Sequence, residues 1–340
     1  MAQLEISDEL HPPEPLPLEV RIGFNLIDIT AVREREETLE FEGAIYLFWN
    51  DPRLAYDPPG HEAPDDYSWT PKITYQGDYA VKEEFPGWRP HVTLANGIGD
   101  RNRTNMAVGI WPDGTVAYYE TFSARVETPM ALRRFPFDVQ ELEVFFHPFV
   151  YQREELVLIP DDSLARTWQQ NMGIAEWNRG PVSMAERAVE IAYFDDVRET
   201  VSEFIVTIHL TRQPLHILTS IVFPMVLLVS LTWIVFWLDK ESMTDRINIT
   251  FIGILSVVAY YLVIQENVPR IDYLTLIDGF IIVTFLMLAA GVVLSVVTGK
   301  LDEKDQRTRS MKVDRICRWA FPLGYAAAIG LVHIIFFNLE

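Results

Sequence analysis

The stretch TDRINITFIGILSVVAYYLVIQENVP, Thr244 to Pro269, is long enough as a helix to cross a lipid bilayer, yet it carries Asp245 and Arg246 at one end, Glu266 at the other, and Asn248, Thr250 and Ser256 between. A helix packed only against lipid has no use for such groups, because polar side chains inside a membrane line a pathway or find partners. Stepping by fours and threes from Asn248 reaches Ile252, Leu255, Ala259, Leu262 and Glu266. That spacing averages about 3.6 residues, the helical repeat, so all six share one face. The face begins with an amide, runs apolar through four positions and ends in a carboxylate. If several copies surround an axis, each position becomes a ring: amide at the inner mouth, aliphatic rings at mid-membrane, carboxylates at the outer mouth. Carboxylate rings concentrate cations, and a narrow apolar constriction gates by losing its water. Asp245 repeats the acidic theme at the inner mouth. The competing reading is a plain membrane anchor whose polar residues cap helix ends.

Around this stretch the chain divides into two halves. Met1 to Gln213 holds 37 Asp/Glu against 18 Lys/Arg, and Pro214 to Glu340 holds 11 against 10, so the acidity belongs to the first half. Such a surface repels nucleic-acid phosphates and attracts cations, which excludes a nucleic-acid partner. With Cys317 as the only cysteine, no intrachain disulfide forms, and the residue reads as a small group near a helix end. The start, MAQLEISDELHPPEPLPLEV, has neither the basic head nor the apolar core of a secretory leader. The second half contains four apolar segments, at about 214–238, 247–264, 274–297 and 319–337. The connection 298–318 holds seven Lys/Arg, whereas Arg270 is the one such residue between segments two and three. The positive-inside rule then places that connection in the cytoplasm and both termini, with the acidic half, outside: a multi-pass protein of the cell membrane, in contact with lipid.

The first half, 1–213, is predicted to be all-β. Runs such as LEFEGAIYLFW, TVAYYETFSARV, QELEVFFHPF and EFIVTIHLTR are separated by turn signals including DPPG and WPDG, the rhythm of an immunoglobulin-like sandwich. No run there sustains a helical period.

The stretch RRFPFDVQELEVFF, Arg133 to Phe146, resembles the signature loop of the pentameric ligand-gated ion channels, the Cys-loop receptor superfamily. Thr128 and Leu142 stand where animal members place the paired cysteines, which aligns the chain with the prokaryotic branch and leaves its loop to be held by packing. FWNDPRLAYDP, GWRPHVTLAN, WPDGTVAYYETFSARV, LTRQP and CRWAFPLG follow in the family's order, so the resemblance spans nearly the whole chain. It implies a homopentamer, each subunit meeting four identical subunits around a central pore, with an outer β-sandwich and an all-α four-helix membrane domain. It also implies a channel for monovalent cations without a cofactor, opened by a small-molecule agonist or by protons. By position, Leu255 resembles the hydrophobic gate, Glu266 the outer ring, and Asn248 with Asp245 the inner selectivity region; Ala259 and Leu262 continue the upper wall, and Glu241 is a further contributor near the cytoplasmic exit.

The same resemblance assigns Glu34, Asp138 and Arg212 to the charged contacts that couple sandwich to pore. It assigns the agonist site to Phe149, Tyr151, Tyr193 and Phe194 on one side and to Tyr46 and Tyr119 across the subunit interface, an aromatic box suited to a cationic or aromatic ligand. His147 stands where an acidic residue in some prokaryotic relatives accepts an amine, and Ala44 where an aromatic is expected. Because histidine titrates near neutrality, gating by pH enters as an alternative to an amine agonist. No HExxH, GxSxG or phosphate-cradling GKS/GKT motif is present, and no Cys/His cluster has metal-ligand spacing, so an enzyme is not expected and no metal ligand set can be named.

Overall fold

The structure, a computed structural model, describes residues 11–57, 73–164, 175–194, 197–237, 243–264, 271–303 and 306–338. The chain forms two compact units: Met1–Met130 with Gln140–Leu210, and Ala131–Val139 with Thr211–Glu340. The boundary expected at residue 213 is therefore too simple. The signature loop leaves the β unit and belongs with the helices.

The first unit is a sandwich with ten strands among the described residues: β1 (Leu18–Arg33), β2 (Thr38–Asn50), β3 (Ile73–Gln76), β4 (Val92–Leu94), β5 (Asn102–Ile110), β6 (Thr115–Glu127), β7 (Val139–Pro148), β8 (Leu156–Pro160), β9 (Trp177–Phe194) and β10 (Val197–Arg212). One sheet runs β3-β5-β6-β2-β1-β8 and the other β4-β7-β10-β9. β1 pairs β2 antiparallel and β8 parallel. The expected WPDG turn joins β5 to β6, with Gly114 at φ +84°, a conformation suited to glycine, and Asp113 Oδ1 accepting from the Thr115 amide at 2.9 Å. The DPPG turn lies, beyond Asp57, outside the described residues.

Alternation along the strands sends one face of each sheet inward, and aromatic rings fill the space between. Phe41 meets Phe24 and Phe122, which both meet Phe146, and Phe146 meets Phe204; all centroid separations lie between 5.9 and 6.2 Å. The first three belong to the larger sheet and the last two to the smaller, so this chain of rings crosses between the layers. Each ring is at most 1% exposed, and full burial of such a side chain is worth roughly 1.5–3 kcal/mol.

The positions of the absent cysteines are both buried: Leu142 in the core, and Thr128 with its Oγ1 accepting from the Glu143 amide at 3.0 Å. Beside them Asn96 acts as a polar cross-link. Its Nδ2 donates to Glu127 O at 2.8 Å and Glu143 O at 2.9 Å, and its Oδ1 accepts from Phe145 N at 3.0 Å, joining the end of β6 to β7. Hydrogen bonds as well as packing hold what a disulfide would hold.

Among the described residues the second unit contains four helical segments: α1 (Leu215–Phe236), α2 (Met243–Ile264), α3 (Leu276–Glu303) and α4 (Arg307–Asn338). Among the described residues α1, α3 and α4 are long and apolar enough to cross a membrane; in α2 the apolar run is Ile247–Leu262. α1 contains Pro224 and begins with a wide turn at Leu218–Val222. α1 and α3 form the middle of the group, with α2 and α4 packed on opposite sides of them. α1 and α2 approach closely at Gly253, where an added Cβ would lie 2.2 Å from Thr232 Cγ2. Thr284 and Tyr325 hydroxyls join α3 to α4 at 2.9 Å, and Phe236 stacks on Phe321 at 4.9 Å beside buried Cys317.

The expected 21-residue connection at 298–318 is corrected by the structure, because α3 continues to Glu303 and α4 begins at Arg307. Its Lys, Arg, Asp and Glu residues are soluble helix formers, and a helix leaving hydrocarbon has no reason to stop there. We predict that Asn96→Ala, which removes three hydrogen bonds, lowers stability by about 2–3 kcal/mol. A thermal melt of the purified protein checks this, and Asn96→Asp should restore only the Phe145 contact.

Candidate functional site

The graded stripe of α2 lies on an exposed face of its own chain. Ile252, Leu255 and Leu262 are each about 60% exposed, and Asn248 and Ala259 are exposed with them, whereas Thr250 and Val257 turn inward and are buried. The 3.6-residue period read from the sequence thus separates the two sides of the helix. Asp245 lies in the first turn with its side chain outside the described residues, and Glu266 and Glu241 fall outside them altogether.

The signature loop makes its contacts within the second unit. Leu276 N donates to Arg133 O at 3.0 Å, and Leu132 N to Tyr273 Oη at 3.1 Å, with the Arg133 guanidinium over the Tyr273 ring. Phe137 packs against the rings of His333 and Phe337, and Arg134 lies 5.2 Å from the Phe337 centroid. α3, its preceding loop and the far end of α4 therefore all grip the loop.

Asp138 and Arg212 meet within this unit. Arg212 Nε donates to Asp138 Oδ1 at 2.8 Å, Nη2 makes a longer contact to Oδ2 at 3.4 Å, and Arg212 N donates to Asp138 O at 3.1 Å. The side chains are 1% and 2% exposed, and the Phe135 ring lies 4.8 Å from the guanidinium carbon. Withdrawing two ions from water costs several kcal/mol each, so such a pair persists only when both are bonded and enclosed together. Glu34, the third expected coupling charge, lies in the β1–β2 turn of the other unit.

The aromatic residues expected at the agonist site fall into separate groups. Tyr46 and Tyr119 are register partners on β2 and β6, with ring centroids 4.9 Å apart. Burial, then the neighbouring Tyr46, raises the Tyr119 phenol above its usual range. Ala44, on the same face of β2, is buried. Phe149 stands half exposed, edge-on to His91, and Tyr151 accepts a 2.9 Å hydrogen bond from Trp88 Nε1. His147 Nε2 lies 3.0 Å from Glu203 Oε1, and Arg187 Nε donates to Glu203 Oε2 at 2.5 Å. The side chains of Tyr193 and Phe194, at the end of β9, lie outside the described residues.

Three residues of this region were missed by sequence reasoning. Trp88 stood inside the quoted GWRPHVTLAN, but nothing local says that its indole faces Tyr151. Glu203 and Arg187 sit in strand runs where a charge reads as a solvent-facing alternate; only the pairing of β7, β10 and β9 brings them to His147. A second cluster is centred on Glu120, buried in the larger sheet, where Arg101 and Arg103 approach it at 3.0 and 3.2 Å and Tyr118 donates its hydroxyl. Burial, then the Glu120 charge, pushes the Tyr118 phenol well above its usual range.

The ligand-binding-domain model of neurotransmitter-gated ion channels matches residues 7–214, and the transmembrane-region model of the same channels matches residues 221–313. The chain belongs to the neurotransmitter-gated ion-channel family. It is 25% identical to a proton-gated ion channel of Gloeobacter violaceus over 336 residues, 98% of this chain and 88% of that protein. It is 20% identical to the human gamma-aminobutyric acid receptor subunit rho-3 over 89% of this chain, and 23% identical to a Drosophila melanogaster gamma-aminobutyric acid receptor subunit beta-like protein over 81% of it. The matched stretch spans 62% and 55% of those two animal proteins. The family is that of the pentameric ligand-gated ion channels, whose members are membrane channels.

Removing one partner of the buried pair takes away the opposite charge that the other faces at 2.8 Å. Asp138→Asn is therefore expected to cost about 3–5 kcal/mol, read as a large drop in melting temperature, while Arg33→Gln, at an exposed surface pair with Glu40, changes it by less than about 1 kcal/mol.

Proposed function

We propose that this chain forms a homopentameric, cation-selective, ligand-gated ion channel, with α2 of each of five subunits lining the pore. The observation that carries the reading is the exposed stripe from Asn248 through Ile252, Leu255, Ala259 and Leu262. An unpartnered face that begins polar and turns aliphatic suits a water-filled axis better than hydrocarbon. On this reading Leu255 is the hydrophobic gate, Glu266 forms the outer ring that draws in monovalent cations, and Asn248 with Asp245 sets selectivity at the inner mouth. All four helices span the cell membrane, and the sandwich and both chain ends face outside.

The agonist or proton signal enters at the sandwich, around Tyr46, Tyr119, His147, Phe149, Tyr151, Tyr193 and Phe194. It passes to the pore through Glu34, Asp138 and Arg212. The grip of α3 and α4 on the signature loop supports this route, since a displacement of that loop pulls directly on the helices. Protons are a specific alternative to a small molecule: the Gloeobacter relative is a proton-gated channel, and His147 bonds a buried carboxylate here, an arrangement whose strength changes when the ring gains a proton.

Purified protein in liposomes tests the reading. Leu255→Ser should raise unliganded cation flux about tenfold or more, equivalent to about 1.4 kcal/mol in favour of the open state, and Glu266→Gln should lower the preference for sodium over chloride. No flux from either protein in any condition, or Leu255 found facing lipid by spin-label accessibility, would falsify it. For protons, patches stepped between about pH 5 and pH 9 without added ligand, a range that brackets histidine titration, should show a current change that His147→Asn reduces.

A further inference from the structure

We propose that the ligand of the aromatic site is a small aromatic carboxylate, not an amine. The inference rests on the sandwich being the ligand-recognition domain and names the chemistry that domain selects. Its basis is an inventory of hydrogen-bonding groups. Glu203 is 5% exposed with one oxygen bonded to His147 and the other to Arg187. Glu186 is 16% exposed and is held by Arg153 at 3.1 Å and by the Ser202 hydroxyl at 2.9 Å. The carboxylates in contact with this group of residues are thus already engaged and turned away from solvent, and an incoming ammonium finds no open acceptor among them.

The donors paired with these acids, by contrast, keep more of their own surface open. The Tyr151 hydroxyl accepts from Trp88 Nε1, and among the described residues no acceptor lies within reach of its own proton, which is left to give to a ligand. Arg187, with its guanidinium over the Phe145 ring, and Arg153 keep 51% and 38% of their side chains exposed. The face that carries Tyr119 repeats the pattern. Tyr119 lines a cavity of about 670 Å³ together with Lys82, Arg101 and Arg103. Arg101 is 10% exposed, and its Nη1 is buried without a hydrogen-bond partner among the described residues. Buried donors seek acceptors, and a buried unpaired one marks a place where an acceptor belongs. Of the acids beside these cations, Glu120 is buried and held by Arg101 and Arg103, and Asp78, which is exposed, is paired with Lys82 at 2.8 Å. A carboxylate answers both faces, and the rings of Phe149, Tyr46 and Tyr119 supply the surface for an aromatic body.

Isothermal titration calorimetry on the full-length protein in detergent, at fixed pH and ionic strength, compares phenylacetate with benzylamine, which share a ring and differ in the charged group. Phenylacetate should bind at least about tenfold more tightly, the margin expected of one charge-assisted hydrogen bond. Tyr151→Phe should weaken phenylacetate by about tenfold and leave benzylamine unchanged, and Arg187→Gln, which also frees an oxygen of Glu203, should weaken phenylacetate by about tenfold. Equal binding, a preference for benzylamine, or full phenylacetate affinity in both folded variants overturns the proposal. If a variant fails to fold, the comparison on the unaltered protein still decides. Because calorimetry reads binding and not conduction, a protein that binds phenylacetate but passes no ions defeats the channel reading alone, and one that conducts but prefers benzylamine defeats this inference alone.

Discussion

One ion pair, Asp138 with Arg212, is the fixed point of the helical unit. It joins the signature loop to the end of β10, just before α1 begins, and both side chains are buried. An isolated charge in that setting would neutralise or draw in solvent, so each residue gains from having the other in place. The three kinds of contact they share, charged, backbone and ring-faced, make the arrangement directional. Around it the loop's backbone and rings are taken up by Leu276, Tyr273, His333 and Phe337.

The sandwich solves a similar accounting problem without a disulfide. Its interior is a chain of phenylalanine rings that crosses from sheet to sheet, which gives cohesion but little instruction about register. Register is fixed by polar groups at the rim: Asn96 binds three backbone groups on β6 and β7, and Thr128 binds a fourth. Apolar burial supplies the bulk of the stabilisation and the hydrogen bonds select one alignment, a division expected when buried polar groups must all be satisfied.

Much of this was legible in the sequence, and the exceptions have physical causes. Period-two runs marked the strands because one face of each sheet is buried, and the 3.6-residue stripe marked α2 because one face of that helix is not. The FPFD loop and Arg212 could be paired through resemblance, although 74 residues separate the two charges. Helix ends could not be read: the charged stretch at 298–318 resembles a loop by hydropathy, while helix propensity, indifferent to the membrane boundary, carries both helices through most of it. Nor could the grouping of Trp88 with Tyr151, or of Arg187 with Glu203, because each depends on which strands lie side by side, and a single strand's pattern does not encode its neighbours. The fold boundary moved for the same reason, since the signature loop is consecutive with β strands but packs against helices.

The exposed amide of Asn248 on α2 has an implication for how the protein comes to exist in a cell. Hydrocarbon offers that side chain no hydrogen-bonding partner, so a solitary copy in the bilayer carries an unmet demand that each additional copy, by enclosing water, helps to relieve. On the proposed reading, association is therefore a step of maturation and not an afterthought to it. Chains made in excess, or with that face altered, would be the ones that membrane quality control meets first.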